Sequence, residues 1–133
     1  MHVLANLAGA LLGLFFIAVG SMVLLGLGPT PEPPPAGSPA AQFFAAMGPT
    51  GYMTVVKALE VLGGLLVALP RTRNLGLLVL GPILVNILLF HLLITKDGAL
   101  QPLLLAPCAL AIFLLACEGR TWWQLVARGK HAD

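Results

Sequence analysis

Charge is what this chain has least of: seven Lys and Arg and five Asp and Glu in 133 residues, against a hydrophobic share of 59%. So few ionic groups cannot cover the outside of a water-soluble globule, which excludes an ordinary soluble domain. A nucleic-acid surface is excluded as well, because the net charge of +2 is scattered in ones and twos and forms no basic stripe. Cysteine is nearly as scarce. Cys108 and Cys117 are nine apart, which on one helix places them on opposite faces and about 13 Å apart along the axis. They read as small apolar packing residues, making neither a CxxC pair nor a metal-ligand spacing. The chain also lacks an internal repeat, a nucleotide-binding glycine motif and a haem-ligand pair. No metal site and no built-in cofactor are expected.

What the chain has instead is long apolar runs, with a mean hydropathy of +0.98. About 18 or more apolar residues make a membrane-span candidate, and residues 3–27, 51–69, 75–94 and 100–117 qualify. The first run has no Lys or Arg before it and exceeds the core of a signal peptide, so it is expected to be retained. The fold class predicted is all-α, an integral membrane four-helix bundle forming a single transmembrane domain over residues 1–133, with the lipid bilayer as its main partner. Residues 29–39 are dense in Pro, Ala and Gly and cannot form regular helix. They open an external loop, 29–50, in which Phe43, Phe44 and Met47 make a one-sided apolar patch and Thr50 is placed to cap span two.

Cations in short loops stay on the cytoplasmic side. Arg71 and Arg73 fall between spans two and three, and Arg120, Arg128 and Lys130 follow span four; Glu32 lies in the first loop, and Lys96 is balanced by Asp97 in the third. Both termini are therefore expected to be cytoplasmic. Trp122 and Trp123 suit an interfacial anchor that Leu125, Val126 and Arg128 would extend along the inner surface, within a cytoplasmic tail of 118–133.

The residues that carry chemistry are Lys57 and Glu60 in span two and Asn86 and His91 in span three. An ionic side chain near a helix centre costs on the order of 2.5–3.5 kcal/mol to insert, so both charges of span two need partners. Three apart, Lys57 and Glu60 can pair along one helix face, and Gly64 and Ala68 continue that face. Counting outward from a turn at residues 70–74 puts Asn86 level with the pair. His91, five residues on, should point about 140° away from Asn86 on a regular helix. This group is either a satisfied polar knot that fixes helix register or a ligand, proton or redox site. In span one, Ala5, Gly9 and Gly13 form a small-residue series that suits contact within the bundle or a dimer face.

Phe16 with Gly20, the run Lys57, Glu60, Gly63 and Gly64, and Asn86, Ile87 and His91, in this order across the spans, resemble the DoxX family of small bacterial membrane proteins over residues 7–117. Ser21 and Met22 stand where many members carry a basic residue. Members are similar to a subunit of an archaeal thiosulfate:quinone oxidoreductase, and others are linked to oxidative-stress and thiol-homeostasis assemblies. The resemblance implies a bacterial cytoplasmic (inner) membrane protein acting as an accessory or quinone-interacting subunit of a redox assembly, partnered by a soluble or membrane oxidoreductase. Quinone is the cofactor it suggests; Lys57 and Asn86 would donate to a carbonyl and Glu60 would orient the lysine or exchange a proton. A small oligomeric permease, a proton-coupled transporter and a ligand-free scaffold are the alternatives.

Overall fold

The computed structural model describes residues 2–96 and 101–127. These are helical with no strand: α1 (His2–Leu24), α2 (Pro39–Met47), α3 (Tyr52–Ala68), α4 (Arg73–Leu89) continuing as a π turn over Phe90–Thr95, α5 (Pro102–Cys117) and α6 (Gly119–Ala127). Asp97, Leu100, Arg128 and Lys130, to which the sequence assigned roles in a loop, a span and the tail, lie outside the described residues. By length and apolarity, α1 and the 23 residues Arg73–Thr95 can each cross a membrane. The other two candidates are bent pairs, α2 with α3 at 86° and α5 with α6 at 63°. Two to four helices are therefore candidate membrane spans.

Local chemistry accounts for the breaks. α1 stops three residues short of the expected boundary because Gly26 turns left-handed (φ 65°) and the Leu27 N–H returns to the Met22 carbonyl at 2.9 Å, a closure that glycine permits. α2 starts at Pro39 behind Ser38, whose Oγ accepts from the Ala41 N–H at 3.2 Å. Thr50 does not cap α3 as expected. Gly51 holds that position at φ 76°, while Thr50 accepts from the Tyr52 N–H (3.3 Å) and donates to the Met47 carbonyl (2.8 Å). It therefore ties the end of α2 to the first residue of α3 without occupying the cap position.

α1 packs most extensively against α3, α3 against α4, and α5 against α1 and α4. The α1–α3 contact is antiparallel and brings backbone close to backbone, with the side chains of Ile17, Val61 and Ala68 packed into it. A Cβ at Gly9 would stand 2.8 Å from the Val67 carbonyl, one at Gly13 2.5 Å from the Gly64 carbonyl, and one at Gly20 3.1 Å from the Lys57 carbonyl. The small residues of span one thus face the bundle, which resolves the choice the sequence left open. α3 and α4 meet in the same way near their turn, where Gly63 faces Leu80 and Gly76 lies against the Val67 backbone. Leu12, Phe16, Leu80, Leu84 and Leu114 fill the space between.

Gly13→Leu should therefore lower the unfolding temperature in detergent by the equivalent of about 1–3 kcal/mol or more. Gly119→Ala, where nothing lies within 4 Å, should stay within about 0.5 kcal/mol of the parent. Equal melting of the two variants would refute the seam.

Candidate functional site

The inward stripe of α3 is Glu60, Gly63, Gly64 and Val67, the i, i+3, i+4, i+7 spacing of one helix face. Three of the four are apolar, and the fourth is a carboxylic acid with 1% of its surface exposed. Its counter-ion comes from the preceding turn of the same helix. Lys57 Nζ donates to Glu60 Oε1 at 2.8 Å and to Oε2 at 2.9 Å, with the side chains 17% and 2% exposed. An ammonium carries three donor hydrogens and a carboxylate four acceptor positions. One N–H and further oxygen lone pairs remain for another group.

Lys57 and Glu60 line a cavity of about 670 Å³ bounded by α1, α2, α3, α4, the π turn and α5, a size usual for small-molecule sites. It lies on the side of Glu60 away from the turn at Pro70 to Thr72, in the half of the bundle that contains α2. Phe43 and Phe44 of α2 lean on Phe90, with ring centroids 5.1 and 5.5 Å apart, and Phe90 meets His91 edge-on at 5.7 Å. Aromatic faces therefore supply much of one wall, while Lys57, Glu60, Asn86, His91, Gln101 and Tyr52 supply the polar atoms.

All four residues singled out in the sequence line this cavity. Gly76 beside Val67 and Gly63 beside Leu80 set the α3–α4 register. Continuing that register places Asn86 opposite Lys57. The Asn86 amide nevertheless makes no hydrogen bond to Lys57 or Glu60 among the described residues, and the residue is exposed, so it adjoins the ion pair without completing it. His91, the second residue of the π turn Phe90–Thr95, lines the same cavity as Asn86.

Sequence reasoning missed Arg73. Read as a loop cation, it is the first residue of α4 and only 4% exposed. Its guanidinium donates to Asn6 Oδ1 at 2.6 Å and to Glu118 Oε1 at 3.4 Å, joining α1, α4 and the α5–α6 corner at the end of the bundle away from the cavity. The signal was available in part: Asn6 near the start of span one and Glu118 just after span four are polar residues at the ends of apolar runs. Arg73 Nε, Asn74 Oδ1 and Trp122 Nε1 are buried there without a hydrogen-bond partner. Cys108 and Cys117 are free and half-buried, and no cluster that could hold a metal occurs among the described residues.

No family model, curated protein or solved structure matches the chain.

Removing one member of a buried ion pair strands the other, at a cost of about 3–5 kcal/mol. Lys57→Met and Glu60→Gln should each lower the unfolding temperature. The double variant should recover much of the loss, since two uncharged side chains of similar volume leave no stranded charge. Additive losses in the double variant would show that the two groups do not depend on each other.

Proposed function

We propose that the chain is a four-span integral membrane protein of the bacterial cytoplasmic membrane, DoxX-like, that binds a quinone-like ligand in its inter-helix cavity as an accessory subunit of a membrane redox assembly. The observation that carries this reading is the ion pair opening onto an aromatic-walled cavity, with a lysine N–H and carboxylate lone pairs left over. In this role Lys57 donates to a ring carbonyl and Asn86 donates beside it. Glu60 holds the lysine in place and accepts from the hydroxyl of the reduced ring. The phenylalanines pack against the ring, and a reducible ligand supplies the electron chemistry. A soluble or membrane oxidoreductase is the partner that would exchange electrons with it.

The four spans of this reading are α1, α2 with α3, Arg73–Thr95, and α5 with α6 lying along the interface. Arg71 and Arg120, together with the buried Arg73, belong to the end that also carries the start of α1, which supports cytoplasmic termini. Below Glu60 the helices close on Gly13, Gly63, Gly64 and Gly76. That packing favours a closed-ended binding site over a permeation path through one chain.

A benzoquinone with a short alkyl tail should bind the purified protein in an uncharged detergent, and Lys57→Met should weaken binding about tenfold, or about 1.4 kcal/mol. Equal binding by both would remove Lys57 from the site. With Cys108 and Cys117 replaced by Ala, a single cysteine at Ser38 should react with an impermeant maleimide on intact cells, and one at Gln124 only after lysis. The reverse pattern would invert the topology.

A further inference from the structure

We propose that Glu60 sets what the cavity accepts: by neutralising Lys57 it makes the site selective for uncharged ligands with carbonyl or hydroxyl oxygens and closes it to anionic amphiphiles such as fatty acids. The inference rests on reading the cavity as a ligand site.

An ammonium group on an apolar, aromatic-walled cavity is what a fatty acid would otherwise seek, with its tail among the phenylalanines and its carboxylate on the lysine. That place is already taken. Both Glu60 oxygens lie within 2.9 Å of Lys57 Nζ, and the glutamate projects from the buried stripe of α3 with its side chain 2% exposed. An incoming carboxylate would have to displace Glu60, stranding a buried charge, or lie beside it as a second anion. Either arrangement places uncompensated negative charge beside a carboxylate whose side chain is only 2% exposed, and a cavity that penalises the wrong ligand in this way is selective by exclusion.

An uncharged oxygen meets no such obstacle. A carbonyl accepts the third lysine N–H, and a hydroxyl donates to a carboxylate lone pair, without disturbing the pair. Among the described residues, the other titratable side chains lining the cavity are His91 and Tyr52. Because Lys57 and Glu60 are three apart on one helix, their neutralisation needs no second helix and persists if the cavity walls move.

The test uses the full-length protein in an uncharged detergent, with dodecanoate as the anionic probe and the short-tailed benzoquinone as the neutral one. Wild type should bind the quinone and reject dodecanoate. Glu60→Gln should gain dodecanoate affinity about tenfold or more, or about 1.4 kcal/mol. Lys57→Met/Glu60→Gln should show no gain, and repeating the series in a His91→Gln background should preserve the pattern. Where Glu60→Gln folds poorly, Glu60→Ala leaves a gap beside Lys57, and its folded yield should be restored by dodecanoate but not by the uncharged methyl ester. Equal dodecanoate affinity in wild type and Glu60→Gln, or no gain and no rescue in either Glu60 variant, would overturn the proposal. Dodecanoate capture by the Glu60 variants alongside a wild type that ignores benzoquinone would uphold the selectivity and remove the quinone reading.

Discussion

The close backbone approach of α1 and α3 fixes where everything else in this protein lies. Gly9, Gly13 and Gly20 on one helix meet the carbonyls of Val67, Gly64 and Lys57 on the other, so the two axes cannot separate, slide or rotate without losing the contact along the whole seam. Rotation is the important constraint. The face of α3 that presents Gly64 to α1 also carries Glu60 inward, and the carboxylate is buried because the glycines beside it must be. Its neutralisation by Lys57 follows from that burial, since a lone ionised carboxylate in an apolar interior is costly enough to oppose folding.

The cavity is the complement of this packing. Glycine contacts hold α3 and α4 together near their turn, while at the level of Lys57 and Asn86 the space between helices is left to phenylalanine rings and to the cavity itself. α2 lies across this half of the bundle, and its two phenylalanines reach Phe90 on the π turn. An internally compensated ion pair beside ring-lined walls is the feature on which the proposed recognition by hydrogen bonding and shape rests.

Much of this was legible in the sequence, and the reasons for the rest are physical. Apolar runs located the long helices, and small residues at helical spacing marked the faces that meet. The charges in span two identified the polar group, because so few charges occur in this chain that each has to be accounted for. The sequence could not show the π turn, since Phe90 to Thr95 is composed like ordinary helix and the wider hydrogen bonding leaves no mark in residue type. Arg73 was misread because a cation beside a turn ordinarily reports topology. Its burial depends on Asn6 and Glu118, residues remote in the chain that only the packed helices bring together.

The placement of Arg73 bears on the order in which the protein is completed. A chain made from its amino end reaches residue 73 after Asn6 and well before Glu118, so the guanidinium first has the amide of α1 as its polar companion and receives its carboxylate only when the last long helix has been synthesised. The hairpin of α3 and α4 and its glycine contacts with α1 use residues already made by then. The arginine acts as a latch that the carboxylate after α5 closes, and a nascent chain stalled before residue 118 would hold α1, α3 and α4 with that charge still waiting for its counter-ion.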